Sequence, residues 1–182
     1  MPQNITKIED YKGLTQLPIS DVETHFNEFA FDIEKDILRG NNVDDFGLLG
    51  DEIYINLLAD LDGNNLPQTE PYISLINGKN YVSSNGLKTV YLGVRKLLTY
   101  FVFAEYVKQY RITFFQGTAV NMTYENTDMA AIKDTNYEAH RRWNKGVEFF
   151  NGETYDYILF NQSSFPNWDF TRQSRFITHG IR

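Results

Sequence analysis

No cysteine occurs in this chain of 182 residues, which excludes disulfides, thiolate nucleophiles and metal sites built from cysteine. The chain also lacks an apolar run close to the roughly 20 residues that a membrane-spanning helix needs. Its first residues carry neither an apolar core nor a cleavage signal, so we expect neither secretion nor a membrane. Catalytic-serine motifs and glycine-rich phosphate-binding loops are missing as well. The sequence therefore predicts no enzymatic activity and no bound metal or cofactor.

Acidic residues are absent after Asp169, although the whole chain has a net charge of −7. Residues 1–62 hold 14 acids against 4 bases, whereas residues 63–182 hold 10 acids against 13 bases. Such a polarised chain suits an assembly in which the acidic front of one subunit meets the basic back of the next. Two solvated faces that happen to differ in charge are an alternative of equal weight.

Apolar residues recur at helical spacing along most of the chain, which predicts a mainly α fold. The first helix starts at a capping box, Ser20 with Glu23, and carries one apolar stripe. The central helix is apolar nearly all round at residues 97–104, as in the buried helix of a bundle. The predicted helices span about residues 20–40, 51–61, 87–110 and 128–150.

Two segments depart from this helical pattern. Residues 111–124 are rich in β-branched and aromatic side chains around Gly117, which predicts a small β-hairpin. The tail has no period but is rich in aromatics, unlike a disordered linker. We therefore predict a helical bundle at residues 1–162 and an extended C-terminal docking arm at 163–182; packing along its own domain is the alternative. The arm residues expected to contact a neighbouring protein are Phe165, Trp168, Phe170, Arg172, Arg175 and Phe176.

Two groups of acidic residues invite a metal-binding interpretation. Residues 60–65 begin like a calcium loop, but Asn65 stands where glycine is needed and Pro71 where the bidentate glutamate belongs. A turn that closes a helix is the preferred interpretation. The second group lies opposite the apolar stripe of the first helix, where a solvated face is expected. Its members are Asp21, His25, Glu28 and Asp32.

Two structural motifs fall within this order of elements. Residues 49–57 read Leu-Gly-x-x-x-Tyr-x-x-Leu, and residues 97–104 form the apolar stretch of the central helix. With the amphipathic helix before them, and the β segment, final helix and aromatic tail after them, they resemble the head–tail connector, or adaptor, proteins of tailed bacteriophages, in particular those of crAss-like phages. The resemblance covers roughly residues 20–162.

The resemblance implies a structural virion protein at the head–tail interface, made in the host cytoplasm. Copies would form a ring below the portal, twelve-fold as the portal is, that connects the capsid to the tail and extends the DNA channel. The implied partners are other copies of the chain, the portal protein, tail or further neck proteins, and DNA that passes without sequence-specific binding. An acidic surface suits such a channel.

Two other functions are compatible with the sequence. A small hydrolase could use carboxylates such as Glu105 or Asp156, because glycosidase-type chemistry needs only two acids. A monomeric cytoplasmic protein-binding module would need no assembly at all.

Overall fold

The computed structural model of the chain describes residues 4–11, 22–40, 47–83, 85–110, 112–115, 118–121 and 129–168. Helices account for 66% of the residues that can be interpreted, which confirms the predicted mainly α fold. The helices are α1 (Val22–Arg39), α2 (Gly50–Asp60), α3 (Tyr72–Asn77), α4 (Val94–Tyr110), α5 (Met129–Phe149) and α6 (Tyr155–Phe160). The strands are β1 (Lys79–Val82), β2 (Lys88–Tyr91), β3 (Ile112–Phe115) and β4 (Thr118–Asn121).

Helix α4 is the centre of the fold, as its all-round apolar middle predicts. It packs mainly against α5 and also contacts α1 and α3. The ring of Phe101 meets Trp143 of α5 edge-on, with the ring centroids 4.7 Å apart. Gly146 permits this close approach, because a Cβ there would lie 2.8 Å from the Phe101 ring. The buried apolar residues of α4 are Val94, Leu97, Leu98, Phe101, Val102, Phe103, Ala104, Tyr106 and Val107.

The central helix begins at Val94 and not near Leu87, so the prediction of helix at residues 87–93 is wrong. Residues 88–91 are instead strand β2, antiparallel to β1. Periodicity misled here because Leu87, Val90 and Val94 fit helical spacing. The local chemistry favours a strand, since Thr89 and Val90 are β-branched and Gly93 adopts φ +88°.

The predicted β-hairpin is confirmed. Strands β3 and β4 pair in antiparallel register within residues 112–121, from Ile112 opposite Asn121 to Phe115 opposite Thr118. The last predicted helix is observed as α5. Helical structure does not end at Asn151 and Gly152. A π-helical turn, Phe150–Thr154, leads directly from α5 into α6.

Candidate functional site

The β1–β2 hairpin leaves the helical body between α3 and α4, and two glycines form its base. Gly78 has φ +85° and Gly93 φ +88°, values that favour glycine. A Cβ on Gly78 would lie 2.3 Å from the Tyr91 carbonyl oxygen, and one on Gly93 would lie 2.3 Å from the Ile76 carbonyl oxygen. The two backbones therefore touch where the hairpin joins the body, which fixes its direction.

We expect Gly93→Ala to lower the free energy of unfolding by about 2 kcal/mol, because it adds a backbone overlap to the strain of a positive φ. Gly86→Ala at the hairpin tip is the matched control: φ is +76° there, but a Cβ would meet nothing within 4 Å. It should cost only about 1 kcal/mol. Urea unfolding of both variants measures the difference, and equal losses would refute the contact at the base.

Aromatic stacking attaches the inner face of the hairpin to α6. The Tyr91 ring is buried and lies parallel to the Tyr157 ring, with the centroids 4.2 Å apart. Its hydroxyl donates a 3.0 Å hydrogen bond to the Leu75 carbonyl oxygen. The Tyr81 ring meets the Tyr157 ring edge-on, with the centroids 5.5 Å apart. It also lies at a tilt to the Phe160 ring, with the centroids 5.6 Å apart. Burial raises the pKa of the Tyr91 phenol well above its usual value.

The outer face of the hairpin is uncovered in the single chain and presents two exposed valines. Val82 is 47% exposed and Val90 57% exposed. Because directly opposed residues of an antiparallel pair point to the same side, Lys88 opposite Val82 and Asn80 opposite Val90 complete this face. Leu87 at the tip and Leu92 at the base are exposed as well. Exposed apolar side chains on one face make it a candidate surface for contact with another molecule.

Helix α2 presents a second exposed face, of opposite charge. Its inner residues, Ile53, Tyr54 and Leu57, are buried in the core. Its outer side places Ile55, 55% exposed, next to Asp51 and Glu52. The helix contains three acids and no base, but Asp51 forms an ion pair with Arg39 of α1 and the Asp60 carboxylate binds the following loop.

The first residues of the predicted docking arm belong to the chain's own core, which corrects the prediction. Phe165 is 2% and Trp168 4% exposed, within the main apolar cluster. The Trp168 indole N–H donates a 2.9 Å hydrogen bond to the Leu48 carbonyl oxygen. These two residues are therefore not available for contact with a neighbouring protein. The prediction failed because an aperiodic aromatic segment can fill a core as well as an interface. Phe170, Arg172, Arg175 and Phe176 lie outside the described residues.

The acids of the calcium-like loop bind the loop itself. The Asp60 carboxylate accepts hydrogen bonds from the Thr69 hydroxyl and from the N–H groups of Gln68 and Thr69. The Asp62 carboxylate accepts hydrogen bonds from the N–H groups of Leu66 and Asn64, and these bonds lower its pKa. The interpretation as a turn that follows a helix is confirmed by these bonds.

The other candidate residues from the sequence lie on the surface or outside the residues that the structure describes. Glu28 and Asp32 are exposed on α1, whereas the side chains of Asp21 and His25 lie outside the described residues. Glu105 lies 3.6 Å from the Lys108 ammonium, and Asp156 is exposed on α6. Within the described part of the chain, no three histidine or acidic side chains gather in a way that could hold a metal ion.

The fold is mainly α, with a β-hairpin whose inner face packs on α6 and whose outer face exposes two valines. Residues 48–176 match DUF6712, a family of unknown function, over well more than half of the chain. The chain therefore belongs to this family. No curated protein and no solved structure matches it significantly. Among the described residues, no helix has the length and apolar character needed to cross a membrane.

Proposed function

We propose that the protein is a structural, non-catalytic subunit of a phage virion. It forms a ring below the portal at the head–tail interface, connects the capsid to the tail and extends the DNA channel. The observation that carries this proposal is the pair of exposed valines, Val82 and Val90, on the outer face of the β1–β2 hairpin, which is held in a fixed direction by the glycine base and the stacked tyrosines. A surface of this kind suits a permanent contact between subunits.

The motif behind the phage resemblance has a structural role. Leu49, Tyr54 and Leu57 are buried in the main core, and Gly50 adopts φ +76° at the start of α2. The defining residues of the motif therefore serve the core and the start of α2, which agrees with a structural subunit.

The charge distribution supports a ring. A cyclic assembly uses two different surfaces of each subunit, one from the front and one from the back. The acids concentrate in residues 1–62 and the bases in the remainder, so successive copies attract one another. An overall net charge of −7 also disfavours tight binding of the DNA that passes through the channel.

We expect the protein to be present in purified phage particles and to assemble in solution or on its portal. Mass spectrometry of gradient-purified particles tests its presence, and native mass measurement tests for multiples of the 21.2 kDa monomer. Electron microscopy of the complex with the portal from the same genome shows whether the copies form a ring. Absence from particles, together with no binding to the portal, would contradict the proposal.

A further inference from the structure

We propose that the outer face of the β1–β2 hairpin of one copy docks on the exposed face of α2 of the next copy. This inference rests on the proposed ring and names its contact. The hairpin contributes Val82, Lys88 and Val90, and α2 contributes Ile55 and its neighbouring acids. The contact is heterologous, so that each subunit uses its hairpin on one side and its α2 on the other.

Charge complementarity selects a second copy as the occupant. Residues 79–92 contain two lysines and no acid, whereas Gly50–Asp60 contains three acids and no base. Within the chain, Lys79 pairs with Glu70, Asp51 pairs with Arg39 and Asp60 binds the following loop, which leaves Lys88 and Glu52 as the charges for a contact between copies. On the hairpin, Lys88 lies on the same face as the exposed valines. On α2, Asp51 and Glu52 lie one turn before Ile55 on the same exposed face, as residues three or four positions apart do. An apolar contact with opposite charges at its rim is a typical arrangement of a specific protein interface.

The two ends of the contact are positioned independently of each other. The hairpin is fixed by its glycine base and by stacking on α6. Helix α2 is held by its buried inner face, and the Glu52 carboxylate accepts a 2.6 Å hydrogen bond from the Asn167 side chain. Both surfaces are therefore preorganised, which lowers the entropic cost of joining two copies.

The test uses one aspartate substitution on each surface of the full-length chain. Val90→Asp disables the hairpin face and Ile55→Asp disables the α2 face. Each should weaken self-association at least about tenfold, because a charge is then buried in an apolar contact. Both side chains are more than half exposed, so the monomers should stay folded by circular dichroism. Tyr137→Asp, at a 67% exposed position on α5, is the matched control and should assemble like the wild type.

Mixing the two variants identifies which surface meets which. The Val90→Asp chain retains an intact α2 face and the Ile55→Asp chain retains an intact hairpin, so an equal mixture should form dimers that cannot grow further. Native mass measurement would show the mass of two copies, a species absent from either variant alone. Wild-type assembly by the Val90→Asp chain, or a mixture that stays monomeric while the wild type assembles, would overturn the inference.

The outcomes separate this inference from the proposed function. A wild-type chain that is present in phage particles but shows no contact between copies, in solution or on the portal, overturns the inference and leaves the virion role intact. Loss of assembly with Tyr137→Asp and not with Val90→Asp places the contact elsewhere and also overturns it. Absence of the wild-type chain from particles contradicts the proposed function itself.

Discussion

Trp168→Ala is expected to lower the free energy of unfolding by about 3–5 kcal/mol, as for other large aromatic side chains removed from a core. The indole is 4% exposed and packs against Tyr155, with the ring centroids 5.4 Å apart. Its loss leaves a cavity and also removes the N–H that pairs with the Leu48 carbonyl oxygen. Both costs arise in the chain's own core and require no partner.

Urea unfolding followed by far-UV circular dichroism measures this effect on the isolated subunit. Phe160→Ala is the control, since Phe160 is an aromatic residue close by in sequence that is half exposed; it should cost under about 1 kcal/mol. Deletion of residues 163–182 should unfold the chain, because it removes Phe165 together with Trp168. A stable, folded subunit after this deletion would support the predicted docking arm and contradict a role for these residues in the core.

A shorter deletion tests what remains of the arm. Removal of residues 169–182 keeps both core aromatics and takes away Phe170, Arg172, Arg175 and Phe176. The prediction that these four residues contact a neighbouring protein then has a direct readout, loss of assembly without loss of folding.

Residues whose local pattern matches their role could be predicted from sequence, and the others could not. The central helix followed from its all-round apolar stretch, and the second hairpin followed from its β-branched residues. The first hairpin was missed because Leu87, Val90 and Val94 have helical spacing, and so few apolar residues in a short segment cannot distinguish a helix from a strand. Gly93 was the available signal, since glycine often ends a periodic segment.

Contacts between distant segments carried no sequence signal at all. Trp168 reaches a carbonyl group 120 residues away in the sequence, and no local period records such a pairing. The aromatic tail therefore allowed two interpretations, an arm or a piece of the core, until the packing was known. Glu34 is a second case: it is buried on α1, and nothing in the apolar stripe of that helix indicated a buried carboxyl group.

Raising the pH from about 5 to 8 should weaken the folded state through Glu34. This carboxyl group is fully buried, and burial raises its pKa from 4.5 to about 7. Hydrogen bonds oppose the shift only in part: the N–H of Ile5 donates at 2.7 Å, that of Thr6 at 3.0 Å, and the Thr6 hydroxyl donates as well. The nearby Asp10 charge raises the pKa further.

The sign of the effect follows from the direction of the shift. The folded state holds the proton more tightly than the unfolded state does, so the stabilisation is complete below about pH 4.5 and is lost as the pH rises through 7. A shift from 4.5 to about 7 corresponds to about 3 kcal/mol. The loss comes from burying the ionised carboxylate near the Asp10 charge, because the hydrogen bonds from Ile5 and Thr6 favour the charged form and offset that cost only in part.

Glu34→Gln isolates this group from the other carboxylates of the chain. The amide cannot ionise, and it leaves one backbone donor poorly satisfied at every pH, a constant cost of about 1–3 kcal/mol. The stability advantage of the wild type over the variant should therefore shrink by about 2.5 kcal/mol between pH 5 and pH 8, the rest of the shift acting below pH 5. Urea unfolding at several pH values measures the difference. An advantage that does not change with pH would show that Glu34 titrates near its ordinary value and that the buried pair of N–H donors holds it ionised.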